Sequence, residues 1–177
     1  PGAVYSIVDV PEGGLYIGTH HGLYLAHNGR FNLIKPDFPD EAVISLNVDR
    51  QSNLWIGTVN RGILRLGRRG LESLDAGSGL PNNRVGAMFS DREGNLWVGT
   101  NGGGLVRLRN GNVTTFATQE GLSHDVVAAI YQDRKDNVWV ATIGGLNRMS
   151  PDGAVKAYTA ADGLPNGRVF SVFEDEA

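Results

Sequence analysis

The chain contains no cysteine, two methionines and three lysines, and none of its apolar runs approaches the length of a membrane-spanning helix, ~18 residues. Without cysteine there are no disulfides and no thiolate metal sites, a composition that fits either side of a membrane. The net charge of −3 offers no electrostatic footprint for nucleic acid or an anionic lipid surface. Arginine outnumbers lysine 13 to 3, but the arginines are dispersed, and the one cluster, Arg65, Arg68 and Arg69, reads as a solvated turn. A signal-peptide pattern and an initiator methionine are both lacking. The chain opens Pro1-Gly2-Ala3, which leads to the expectation of a piece of something longer.

Glycine is abundant. Its 25 positions in 177 are roughly twice the usual share of about 7% and follow no collagen period, as suits an all-β chain with many tight turns. Self-similarity explains them. Trp55, Trp97 and Trp139 are spaced by 42 residues, as are Gly79-Leu80, Gly121-Leu122 and Gly163-Leu164. Gly57-Thr58, Gly99-Thr100 and Ala141-Thr142 follow the tryptophans. Tyr16-Ile17-Gly18-Thr19 is an earlier copy 39 residues before the first of them, shortened around Pro36 to Glu41.

Each unit contains four short strand-like runs. The first is apolar almost throughout, as in Val43 to Val48, Val85 to Phe89 and Val127 to Tyr131, which suits a strand covered on both faces. It ends at Asp49, Asp91, Asp133 and Asp175, with Val10 as the exception. These aspartates are read as acceptors for backbone groups of the following turn rather than as acid–base catalysts. A second strand such as Leu96 to Thr100, a glycine-rich turn, a third strand and an Asn110-Gly111 hairpin into a polar fourth strand complete the unit. Polarity rising from first strand to fourth is the gradient of a propeller blade, whose faces are buried only by stacking on neighbours.

The expected fold is all-β, a β-propeller segment of four four-stranded antiparallel blades spanning about 1–42, 43–84, 85–126 and 127–168. Residues 169–177 are expected to form the inner strand of a fifth blade. Four blades and an extra strand imply a ring of more blades, commonly seven, or two chains meeting in a ring of about eight.

The segments Asp-Arg-Glu-Gly-Asn-Leu-Trp-Val-Gly-Thr at 91–100 and Asp-Gly-Leu-Pro-Asn at 162–166 resemble the two-component regulator propeller repeat. The resemblance runs through all four units and is weakest in the first, where Tyr16 and Val10 replace tryptophan and aspartate. It implies the extracytoplasmic sensor of a bacterial membrane receptor, on the periplasmic or extracellular face. Such a sensor signals to a histidine kinase or diguanylate cyclase on another part of the chain, and its ligand would be a small molecule or an oligosaccharide. No cofactor is implied.

Candidate ligand residues lie in two kinds of turn expected at one end of the blades. One is the connection between units, with Asn83 and Arg84, His124 and Asp125, and Arg168. The other is the turn between second and third strands, with His20, Asn60 and Asn101. The recurring glycine, leucine and proline of the connections read as turn formers and plugs between blades, and the varying polar residues as the rim where specificity would be placed. The histidines show no metal-binding spacing, and no catalytic constellation is present, so a non-catalytic sensor is expected. Two alternatives stay open. The fourth unit also resembles streptogramin lyase propellers, which implies an enzyme, and the chain could instead be a protein-interaction scaffold that completes a ring by oligomerisation.

Overall fold

A computed structural model describes residues 2–10, 13–34, 41–68 and 70–175. The described residues form sixteen strands. They are β1 (Val4–Asp9), β2 (Leu15–Thr19), β3 (Gly22–His27) and β4 (Arg30–Leu33), then β5 (Val43–Val48), β6 (Leu54–Thr58), β7 (Ile63–Gly67) and β8 (Gly70–Leu74). They continue with β9 (Val85–Ser90), β10 (Leu96–Thr100), β11 (Leu105–Arg109) and β12 (Asn112–Phe116), then β13 (Val127–Gln132), β14 (Val138–Thr142), β15 (Gly145–Met149) and β16 (Val155–Tyr158). Consecutive fours make four meander sheets, each inside one of the four expected windows. This is the architecture of propeller blades. The shortened connection expected before Glu41 falls at 35–40, and Arg69 likewise, outside the described residues.

Two compact units divide the chain, residues 1–85 and 86–177. In the first, β5 packs across β1 and β2, around Leu23, Val43, Leu46, Leu54, Ile56 and Leu64. In the second, β13 packs on β10, around Trp97, Leu105, Leu122, Val127, Val138, Val140 and Met149. The second-strand glycine permits this stacking. A Cβ built on Gly18 would lie 2.7 Å from Val43 Cγ1, and one on Gly99 2.5 Å from Val127 Cγ1. The recurrence of Gly-Thr therefore records the close approach of the next blade's inner strand.

The repeated aspartates hold the turn that follows them. Asp49 accepts from Gln51 N at 2.9 Å, Asn53 N at 2.9 Å, Asn53 Nδ2 at 2.8 Å and Trp55 Nε1 at 2.8 Å. Asp133 repeats the set with Lys135 N, Asn137 N, Asn137 Nδ2 and Trp139 Nε1, and Asp91 receives Asn95 N, Asn95 Nδ2 and Trp97 Nε1. Burial raises the carboxyls of Asp49 and Asp133. The hydrogen bonds from asparagine, indole and backbone outweigh it and hold both below the ordinary value of 3.8. The first blade lacks both the carboxylate and the indole. Among the described residues its turn closes through the backbone, Val10 N donating to Gly14 O and Gly13 N to Val10 O, with the His27 ring nitrogen 3.1 Å from Gly13 O.

Two expectations are corrected. Arg65 is not part of a solvated turn. It lies on β7 directly opposite Trp55, its guanidinium carbon 5.4 Å from the ring centroid, and pairs with Glu72 at 3.1 Å. Arg107 covers Trp97 likewise at 5.7 Å. The inner strand expected at 169–177 is not a strand over the described residues 169–175. The segment nevertheless sits on blade 4 as β13 sits on blade 3. Arg134 N donates to Glu174 Oε2 and the Arg134 guanidinium to Asp175 O, as Arg92 N donates to Gln132 Oε1 and the Arg92 guanidinium to Asp133 O. Ladder hydrogen bonds need a second strand beside the first, and among the described residues none flanks 169–175.

Candidate functional site

Strand register fixes which turns share an end. Val43 pairs with Thr58, and Ile63 with Leu74, at one end of blade 2; Val48 pairs with Leu54, and Gly67 with Gly70, at the other. The second-to-third-strand turn and the connection to the next blade therefore lie together, opposite the aspartate turns. The same holds in blade 4, where Val127 pairs with Thr142 and Thr142 with Gly145.

The connections after blades 2, 3 and 4 are built alike. Each carries one short helical turn, Ala76–Ser78, Thr118–Glu120 or Ala160–Asp162, closed by a glycine in the left-handed region, with φ of 113° at Gly79 and 99° at Gly121 and Gly163. The residue before each turn donates its backbone N–H to the third residue's side chain, as Ala117 does to Glu120 Oε2 at 2.8 Å. Leu80 and Leu122 are buried just beyond the glycines as plugs, and Leu164 is half-buried.

This construction separates the sequence candidates into two groups. Asn83 and Asp125 stand one repeat apart, and both side chains are engaged. Asn83 Oδ1 accepts from Ala76 N at 2.7 Å and Asp125 Oδ1 from Thr118 N at 2.7 Å, so each caps the turn seven residues upstream. Their carbonyls reach the neighbouring strand turn, Asn83 O taking Gly62 N and Asp125 O taking Gly102 N and Gly104 N. His124 occupies the place of Asn82 and Asn166. Its Nδ1 accepts from Val126 N at 3.0 Å, as their Oδ1 atoms accept from Arg84 N and Arg168 N. The residue in register with Arg84 and Arg168 is thus Val126.

The remaining candidates point outward. Arg84 and Arg168 are exposed, on the first and second unit respectively. His20 is exposed, its ring edge-on to His21 at 5.0 Å, and Asn60 donates to Glu41 Oε1 at 3.0 Å beside Arg61. Asn101 is exposed and its backbone bridges to Val126. Each unit therefore carries its own set of rim side chains. Among the described residues, no group of three or more His, Cys, Asp or Glu is placed to hold a metal.

A further recess lies at the opposite end of blade 2. It is a cleft of about 600 Å³ lined by Gln51, Asn53, Arg65, Arg68 and Glu72. Sequence reasoning did not find it. The signal was Gly67, which stands where blade 3 has Arg109 and lies close against Asn53; a Cβ there would meet Asn53 Oδ1 at 2.6 Å.

Three stretches, 37–60, 79–102 and 121–144, match the family described as two component regulator propeller. These three stretches are two-component regulator propeller repeats. Each match runs from a connection through the inner strand to the second strand and its turn, the portion that carries the aspartate turn and the rim. No curated protein matches the chain. Among solved structures, the chain is similar to the extracellular domain of a protein assigned as a hybrid two-component system of B. thetaiotaomicron, at 23% identity and TM-score 0.60, covering 99% of this chain and 31% of that one. It is also similar to virginiamycin B lyase from Staphylococcus aureus, at 16% identity and TM-score 0.69, covering 93% and 56%. At these identities the likeness shows the propeller fold. The chain spans about a third of the receptor domain and about half of the lyase. No helix among the described residues is long and apolar enough to cross a membrane.

Proposed function

We propose that this segment is the ligand-sensing part of a bacterial extracytoplasmic receptor, binding a small molecule or oligosaccharide at its rim without turning it over. The observation that carries this reading is the division of labour in the regulator repeats. The connections after blades 2 and 3 are capped by Asn83 and Asp125, while the position beside the cap varies, Arg84 and Arg168 against Val126, and His20 and Asn60 stand exposed on the neighbouring strand turns. Varying polar groups on an invariant scaffold are how a repeat protein encodes a ligand. The signal would pass to a histidine kinase or diguanylate cyclase joined to the same receptor.

The test is a thermal-shift screen of the chain against a panel of oligosaccharides, followed by Arg84→Ala and Arg168→Ala. A hit whose affinity drops tenfold or more in one variant, with an unchanged melting temperature for the free protein, supports the reading. A hit unaffected by either variant and abolished by substitutions in the Arg65–Glu72 cleft moves the site to the other end of the blade. The lyase alternative shares the fold, and turnover of a cyclic depsipeptide would establish it against the sensor reading.

A further inference from the structure

The hairpin between third and fourth strands ends in a residue pair whose side chains differ from blade to blade, and blade 2 has none there. His27 pairs with Arg30 in blade 1, Arg109 with Asn112 in blade 3 and Met149 with Val155 in blade 4, whereas the pair in blade 2 is Gly67 and Gly70. Both glycines line the cleft of about 600 Å³. A Cβ on Gly70 would meet nothing within 4 Å, so the cleft is open space on that side. The missing pair of side chains makes the room.

The polar groups around that room are placed for a ligand. Of the three arginines in register with a tryptophan, only Arg65 has a carboxylate as its partner on the fourth strand. Its partner is Glu72, where Arg107 has Thr114 and Arg148 has Lys156. Arg65 Nη1 donates to Glu72 Oε2 at 3.1 Å while the guanidinium lies over Trp55, and these two contacts fix its plane. Its second Nη group is then the donor it can offer to a ligand. Asn53 gives Nδ2 to both Asp49 oxygens, at 3.1 and 2.8 Å, so the atom it can offer is the acceptor Oδ1. Gln51 and Arg68 are exposed on the cleft wall.

We propose that this cleft binds a polyhydroxylated monocarboxylate, an aldonic acid being the simplest case. Two guanidinium groups and one carboxylate leave a single positive charge among the described lining residues, which matches a monoanion. The Arg68 fork and the second Nη group of Arg65 hold the carboxylate by charge-assisted hydrogen bonds. Hydroxyl groups serve the mixed remainder: they donate to Asn53 Oδ1 and Glu72 and accept from the Gln51 amide. A fully ionised anion such as sulfate brings no hydrogen to those oxygens. The site lies wholly within the first unit, at the opposite end of blade 2 from the rim, and stands independently of the rim reading.

The test is isothermal titration calorimetry of the full chain with sodium gluconate, and with glucose, propionate and sulfate for comparison. Gluconate should bind with a Kd of about 1 mM or tighter. Glucose lacks the carboxylate and propionate the hydroxyls, and each should bind at least about tenfold more weakly, as should sulfate. Arg68→Ala and Glu72→Gln, both at exposed positions and checked for folding by circular dichroism, should each weaken gluconate by at least about fivefold. Arg109→Ala, at the equivalent hairpin of blade 3, should leave it unchanged. No binding up to about 10 mM overturns the proposal. So does binding of glucose, propionate or sulfate as tight as that of gluconate, a gluconate affinity that Arg68→Ala and Glu72→Gln leave untouched, or an equal loss in Arg109→Ala.

Discussion

Replacing Asp91 by alanine removes the acceptor of three hydrogen bonds at once, those of Asn95 N, Asn95 Nδ2 and Trp97 Nε1. Asp91, Asn95 and Trp97 are all buried, so water does not freely take the carboxylate's place. An orphaned buried donor costs about 1–3 kcal/mol, and three set an upper limit of roughly 9 kcal/mol. Relaxation of the turn lets water reach the Asn95 groups, which leaves an expected loss of about 3–5 kcal/mol. Trp97→Phe removes one donor and keeps most of the ring contact, at a loss of about 1–2 kcal/mol. In the double variant the orphaned indole is gone, and the combined loss should fall short of the sum by about 1–2 kcal/mol. The first blade already has this arrangement, with Val10 and Tyr16 replacing both partners together. Urea unfolding followed by circular dichroism, on the wild type, both single variants and the double variant, measures the coupling. Strictly additive losses, or an Asp91→Ala loss below about 1 kcal/mol, would refute the idea that carboxylate and indole form one unit.

Three further outcomes are expected. Because the Asp49 and Asp133 carboxyls are held below their ordinary value, their contribution is fully present above about pH 4 and is lost as pH falls through their lower folded values. Thermal unfolding between about pH 3 and 6 should therefore show an acid limb that Asp49→Asn and Asp133→Asn flatten, and an unchanged limb would count against it. Gly99→Ala places a Cβ 2.5 Å from Val127 Cγ1 and should destabilise by about 1–3 kcal/mol in denaturant titration. Ser52 holds φ at 61° where blade 3 has Gly94 at 83°, so Ser52→Gly should stabilise by about 0.5–1 kcal/mol. The same change at Asp136 gains less by calorimetry, because it removes the 2.8 Å pair with Arg92.

The blades were legible from their period, since stacking demands the same apolar, glycine and turn residues at the same offsets in every copy. The aspartate turns were legible for the same reason: one carboxylate followed by Asn and Trp at fixed distances can satisfy one set of donors. The rim was read less well. Asn83 and Asp125 look like free polar groups in a loop, and only the turn seven residues upstream shows that they are caps. Aligning by the 42-residue offset places Arg84 with Val126, which separates the arginines from the acceptors beside them. Arg65 was misread because charge clustering along a sequence says nothing of strand alternation, which turns Arg65 onto Trp55. The tail was misread because strand identity belongs to a pair of segments, and a periodic sequence can specify only one of them.

The second-strand position has a consequence for which substitutions each blade tolerates. Gly18 and Gly99 lack the methyl group that would strike the next inner strand, whereas Ala141 carries one and is fully buried. Beside it, Val169 N donates to Thr142 O at the end of β14 at 2.9 Å. One repeat position thus carries two different tolerances: a side chain is excluded at Gly18 and Gly99 and already accommodated at Ala141.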